Sequence, residues 1–204
     1  MMTFTGRIFC DMDGVLTDFV RAVFPFIGHL SHQFYDADPE WDAIVKGAAP
    51  DFWSHMPWTA DGKALWQTIA RFCPLVLSAP SIRMPHSGPD KITWCERELG
   101  IPAQRIVLSE HSKKRGYAVT ITEDERHIAN ILVDDSQRNV DQWTEAGGLG
   151  VLHKTGKLNR TFCRLGQLGL YAGPVSYCEC GEPTDKITDE ACPDCASHGA
   201  AGAR

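Results

Sequence analysis

The chain has 204 residues, a formal net charge of −6 at pH 7, and 43% hydrophobic against 23% charged residues. That length suits one domain with an insertion or a small appendage, and it can bury a sizeable core. The acidic balance argues against a protein that coats nucleic acid, while leaving room for a nucleotide substrate that needs only local positive groups. No apolar run approaches the roughly 20 residues that span a bilayer.

The first six residues lack the charged and apolar regions of a signal peptide, so a cytosolic (cytoplasmic) location is expected. Ile8 to Cys10 reads as a short buried strand. It ends in Asp11 and Asp13, one residue apart, and then Gly14. Residues two apart on a strand share a face, so the two carboxylates can converge at the strand's C-terminal end, where open α/β sheets place their sites. Gly14 lets the chain turn there. Clustered carboxylates repel and call for a cation between them, and a hard ion such as Mg²⁺ suits all-oxygen ligands.

Residues 19–58 are rich in aromatics (Phe24, Phe26, Phe34, Tyr35, Trp41, Phe52, Trp53, Trp58), and four prolines keep any helices short. Thr59 to Phe72 reads as a helix capped by Thr59, with Leu65, Ile69 and Phe72 on one face. Pro74 to Leu77 reads as a second strand running into Ser78-Ala79-Pro80-Ser81, with Arg83 and His86 in the loop beyond. A helix is expected over Pro89 to Leu99, with Pro89 near its first position and Gly100 past its end. Lys91 falls in its first turn, where a cation opposes the helix dipole, a misfit that hints at a role. Ile106 to Leu108 is a third strand, leading to Glu110-His111-Ser112-Lys113-Lys114. A fourth, Ile128 to Val133, ends in Asp134-Asp135-Ser136. Ser136 caps a helix that ends at Gly147-Gly148, and Gly150 to Leu152 is a fifth strand. Strands alternating with helices predict an α/β fold with a parallel five-stranded sheet covered on both faces.

From Gly173 the composition changes, and Cys178, Cys180, Cys192 and Cys195 crowd the tail. Two close cysteine pairs in a reducing compartment suit one tetrahedral Zn²⁺ better than disulfides, with His198 as a spare ligand. Residues 173–204 are therefore expected to be a zinc knuckle that folds with its metal and serves partner contact or dimerisation.

The run Asp11-Met12-Asp13-Gly14-Val15-Leu16-Thr17-Asp18-Phe19 after an apolar strand resembles the first motif of the haloacid dehalogenase (HAD) phosphohydrolases, and Leu132-Val133-Asp134-Asp135 resembles their fourth. Within that superfamily the chain looks most like the 5'(3')-deoxyribonucleotidase-like group, supported by the aromatic insertion and by Lys91 three residues before Trp94. The resemblance covers roughly residues 7–153. It implies a Rossmann-like HAD core (1–18 and 59–172) and a small helical C1-type cap (19–58). It implies Asp11 as nucleophile, Asp13 as general acid and base, and Mg²⁺ held by Asp11, the Asp13 carbonyl and Asp135. Asp134 then orients a lysine, although the two acids can exchange roles. That lysine is Lys113 in first place, Lys114 in second and Lys91 in third. Ser78 and the Ala79 N–H are implied to bind phosphoryl oxygens, with Lys91 and Lys114 adding charge. Phe19, Phe52, Trp53 and Trp58 are candidates to meet the substrate's base. The implied substrate is a small-molecule phosphate ester, foremost a nucleoside monophosphate. Polynucleotide 3'-ends are an alternative, and an idle scaffold with a partner-binding tail is another.

Overall fold

The computed structural model describes residues 4–29 and 39–170. β1 (Ile8–Cys10) leads into α1 (Phe19–Ile27) and α2 (Pro39–Gly47). A 3₁₀ turn at Phe52–His55 precedes α3 (Gly62–Ile69), β2 (Leu75–Ser78), α4 (Ser87–Leu99) and β3 (Ile106–Leu108). A 3₁₀ stretch, His111–Tyr117, is followed by β4 (Val119–Ile121), β5 (His127–Ala129), β6 (Ile131–Asp134), α5 (Gln137–Glu145), β7 (Leu149–Leu152) and α6 (Leu158–Gln167).

Five strands form one parallel sheet in the order β3-β2-β1-β6-β7, the α/β architecture expected from the alternating pattern. β1 is central. Cys10 is level with Val76 of β2 on one side and Val133 of β6 on the other. The register therefore sets Asp11 between the ends of β2 and β6, with Asp134 on one flank and Ser78 on the other. Alternation divides the core by face. Ile8, Cys10, Val76 and Val133 pack with Trp94, Cys95 and Leu165, whereas Phe9, Leu77 and Leu132 pack with Ala118 and Trp143.

The insertion after β1 is held by the same core. Asp18 caps α1 by accepting from the Arg21 N–H at 3.0 Å. Val23 of α1 and Trp41 and Ile44 of α2 are buried in the cluster that contains Ile8 and Cys10. α4 is pinned to the 52–58 stretch by three side chains. The Trp94 indole donates to the Met56 carbonyl at 2.8 Å, Arg97 donates to the Ser54 carbonyl at 2.7 Å, and the Trp58 indole donates to Glu98 at 2.8 Å.

Three expectations are corrected. Thr59 does not cap α3, because its hydroxyl is spent on the Val15 carbonyl at 2.7 Å, and the helix starts at Gly62. α4 begins at Ser87, with Pro89 inside its first turn, where a missing N–H costs nothing. The strand expected over Ile128 to Val133 is broken at Asn130. β5 pairs with β4 as an antiparallel hairpin, and β6 enters the main sheet. Asn130 causes the switch. Its side-chain oxygen accepts the Arg7 N–H at 2.8 Å, its amide donates to the Tyr117 carbonyl at 2.8 Å, and its own carbonyl accepts the Trp143 indole at 2.9 Å. The cysteine tail with its zinc ligands Cys178, Cys180, Cys192 and Cys195, and Phe34 and Tyr35 of the insertion, lie outside the described residues. Among the described residues no helix is long and apolar enough to cross a membrane.

Replacing Asn130 by Ala removes two part-buried hydrogen bonds, to the Arg7 N–H and the Tyr117 carbonyl. At about 0.5–1.5 kcal/mol for each, a loss of about 1–3 kcal/mol is expected. Urea unfolding followed by tryptophan fluorescence measures it; a loss below about 0.5 kcal/mol, the range of ordinary surface changes, would contradict this role for Asn130.

Candidate active site

The acidic turn after β1 is built by its own backbone. The Asp11 N–H donates to the Val133 carbonyl at 2.8 Å, which carries the β1–β6 pairing one residue past the strand. Leu16 and Thr17 both donate to the Met12 carbonyl at 2.8 Å, and Gly14 donates to the Thr17 carbonyl at 2.8 Å, closing a compact loop. Gly14 has φ of +78°, and a Cβ placed on it would lie 2.3 Å from Asp135 Oδ2. Only glycine satisfies both the backbone conformation and the close approach of that carboxylate.

Lys114 sits beneath this turn. It is 2% exposed, and its ammonium lies 2.8 Å from Asp11 Oδ2 and 3.1 Å from Asp134 Oδ2. Burial opposes its charge, but the Asp11 and Asp134 carboxylates outweigh that and hold the proton more tightly than usual. Asp134, fully buried, has both oxygens engaged. Oδ1 accepts from the Ser136 N–H at 2.8 Å and the Asn139 amide at 3.0 Å, while Oδ2 accepts from the same amide at 3.0 Å and from Lys114. Asp11 Oδ1 accepts the Met12 N–H at 2.8 Å.

One oxygen each from Asp11, Asp134 and Asp135 lie within 4.8 Å of one another. Asp135 has no such lysine, and burial, then Asp11, then Asp134 push its carboxyl up to about 7. Burial, with Asp134 adding to it, also raises Asp11 despite Lys114. A carboxylate cluster short of positive charge is the donor set a hard divalent cation takes, so the residues fit Mg²⁺. Because Asp134 is saturated by Lys114, Asn139 and Ser136, Asp11 and Asp135 are the acids left to hold it.

Asp13 belongs to a second group. Its Oδ2 is 2.5 Å from the Lys91 ammonium, and its Oδ1 accepts the Thr17 hydroxyl at 3.0 Å. Lys91 is 1% exposed and also donates to Ser78 Oγ at 2.9 Å and to the Ala79 carbonyl at 2.6 Å. Its ammonium lies 4.5 Å from the centre of the Trp53 ring, a cation–π contact. Because α4 starts at Ser87, Lys91 is its fifth residue, past the first turn, and its ammonium links the ends of β1 and β2.

Several expected site residues are placed otherwise. Lys113, the first choice for the lysine beside the nucleophile, is 68% exposed and pairs with Glu110 at 2.8 Å; Lys114, one residue on in the 3₁₀ stretch, turns inward instead. The Asp13 side chain pairs with Lys91 and Thr17 outside the cluster, where only its backbone carbonyl is expected to reach the cation. Trp53 is 3% exposed and stacks on Phe19 with ring centres 5.2 Å apart, and Phe52 meets the Trp53 ring edge-on at 5.4 Å. These rings form the wall behind Lys91 more than an open stacking surface. Arg83 pairs with Asp42 of α2, and His86 is exposed just before α4. Three contributors were missed: Thr17, Asn139 and Lys154, whose ammonium donates to the Asp135 carbonyl at 2.5 Å. Asn139 had a sequence signal, since it falls one turn into the helix that Ser136 caps.

No family model and no curated protein matches the chain. Among solved structures, a hydrolase from Streptococcus pneumoniae TIGR4 is similar at 14% identity, over 76% of this chain and 95% of that one, with a TM-score of 0.43. CbbY from Rhodobacter sphaeroides, in complex with phosphate, is similar at 14% identity over 72% and 85%, with a TM-score of 0.39. A HAD-superfamily hydrolase, subfamily IA, from Geobacter sulfurreducens is similar at 16% identity over 72% and 88%, with a TM-score of 0.39.

The raised Asp135 carboxyl gives Mg²⁺ binding a pH dependence. Its folded value, about 7, lies above its ordinary 3.8, so the metal-free fold holds a proton there that the unfolded chain releases, and this contribution to stability is lost as pH rises through 7. A cation offsets that loss only where Asp135 is ionised. The melting temperature is expected to rise more on adding Mg²⁺ at pH 8 than at pH 5.5, and the rise is expected to vanish in Gly14→Ala and Asp135→Asn. Equal Mg²⁺ shifts at both pH values would contradict the assignment.

Proposed function

We propose that the chain is a phosphomonoester hydrolase of the HAD superfamily, acting through an aspartyl-phosphate on Asp11, with (deoxy)nucleoside monophosphates as its substrates. The observation that carries this is the pair of buried lysine–aspartate contacts, Lys114 with Asp11 and Lys91 with Asp13, set beside an acidic cluster at the ends of adjacent parallel strands.

Asp11 attacks the substrate phosphorus in line, so its carboxyl oxygen forms the new P–O bond while the ester oxygen leaves. Asp13 gives that oxygen a proton, then takes one from the water that hydrolyses the acyl phosphate. An incoming phosphate dianion meets the Lys91 ammonium, the Ser78 hydroxyl and the Ala79 N–H, groups able to receive its equatorial oxygens. Lys114 counters the rise in the Asp11 carboxyl and aligns it, and Asn139 with Ser136 keeps Asp134 aimed at Lys114. Asp11, Asp135 and the Asp13 carbonyl would hold Mg²⁺, which would supply the positive charge that lets a dianion approach a carboxylate. Residues 19–58 serve as the cap that admits the substrate, and the Phe19–Trp53–Phe52 wall sets how far it enters.

A panel of nucleoside monophosphates, 3'-phosphorylated oligonucleotides and sugar phosphates, assayed for phosphate release with Mg²⁺ and with EDTA, tests this reading. Mg²⁺-dependent release from monophosphates is expected. Asp11→Asn is expected to abolish it while leaving the melting temperature near that of the parent, and Lys91→Met to lower kcat by about 10²–10³-fold, the size of one lost transition-state contact. Turnover retained by Asp11→Asn would overturn the nucleophile assignment.

A further inference from the structure

The outer strand β7 borders a cavity of about 370 Å³ that is separate from the acidic cluster. α5 flanks this strand on one face of the sheet, with Trp143 packed against Phe9 and Leu132. α6 flanks it on the other, with Leu165 in the cluster of Ile8 and Val133. The cavity straddles the sheet edge between them. Its floor is Val140, Gly150 and Leu152, and its rim is Lys154, Lys157, Arg160 and Arg164.

The rim is anomalous in a chain of net charge −6. All four cations are exposed, and among the described residues none of Lys157, Arg160 and Arg164 forms an ion pair with a carboxylate. Arg164 donates only to Gln167, at 3.1 Å. Lys157, Arg160 and Arg164 recur at three- and four-residue spacing, so they lie on one side of α6 and span about 10 Å at 1.5 Å per residue. The start of α6, which has no acid in its first turn, adds its dipole to that charge. Mutual repulsion of four such groups is tolerated in water but is relieved by a bound anion.

We infer that this cleft binds a ligand carrying several phosphate groups in series, laid along α6 with its charges on Lys157, Arg160 and Arg164. A single phosphate is too short to meet all three, whereas guanidinium groups pair with successive phosphates at good geometry. Two sources share that chemistry, a free nucleoside triphosphate and a single nucleic-acid strand. Lys154 joins the cleft to the active site, since it lines one and donates to the Asp135 carbonyl in the other.

Calorimetric titration of the full chain in EDTA, with orthophosphate, tripolyphosphate, ATP and octathymidylate as probes, tests the inference. Without divalent metal the acidic cluster repels these anions, so the result stands apart from the phosphatase reading. Tripolyphosphate and at least one of ATP and octathymidylate are expected to bind, more tightly at low salt, and orthophosphate much more weakly. Tighter binding of ATP than of octathymidylate marks the free nucleotide as the source, and the reverse marks the strand; either supports the site. The exposed double variant Arg160→Glu/Arg164→Glu is expected to weaken binding at least about tenfold, for the loss of two charge-assisted contacts, while keeping its melting temperature. No binding of any probe at about 1 mM, orthophosphate binding as tightly as tripolyphosphate, or unchanged binding by the variant would overturn the inference.

Discussion

The structure depends on one buried cation. Lys114 lies among Asp11, Asp134 and, farther off, Asp135, at the point where β1 and β6 run side by side. Three carboxylates held this close in an apolar setting are unfavourable together, because each raises the cost of ionising the next. Lys114 offsets part of that cost and leaves the rest, which is visible as the elevated Asp135 carboxyl. The remaining deficit of positive charge is what suits the site to a divalent cation.

A second cation divides the labour. Lys91 bridges Asp13, Ser78 and the Ala79 carbonyl, so the ends of β1 and β2 are tied as Lys114 ties β1 and β6. Its position is enforced from outside the site. Trp94 lies one turn along the same face of α4, is fully buried, and is fastened to the Met56 carbonyl. The insertion after β1 therefore does more than cover the sheet. By fixing α4 it sets where Lys91 stands, and by packing Phe19 against Trp53 it closes the wall behind that lysine. The described part of the insertion and the strands that carry the acids share one hydrophobic cluster.

Sequence alone reached the acids and missed much of what holds them. Asp11, Asp13, Asp134 and Asp135 were legible because they cluster at or just past the ends of two apolar strands, and the parallel sheet then brings those ends together. The choice between Lys113 and Lys114 was not legible. It turns on the phase of a 3₁₀ stretch in which adjacent residues point opposite ways, and both are lysine. Lys91 left a trace as a charge at the wrong end of a helix, whereas Lys154 left none. The break at Asn130 was invisible for a different reason, since its side chain answers to Arg7, 123 positions away, and to Tyr117. The pattern Ile128 to Val133 looks continuous because hydrophobic periodicity reports burial and says nothing of which sheet a strand joins.

The claim on which the rest stands is that Asp11 carries the phosphoryl group. Rapid acid quench of the protein during turnover of a nucleoside monophosphate, followed by peptide mass analysis, measures this directly. The account predicts one added phosphoryl group on the peptide containing Asp11, absent in Asp11→Asn and accumulating when the Asp13-dependent hydrolysis is slowed by Asp13→Asn. Turnover with no phosphorylated intermediate, or a phosphoryl group found on another residue, would contradict it.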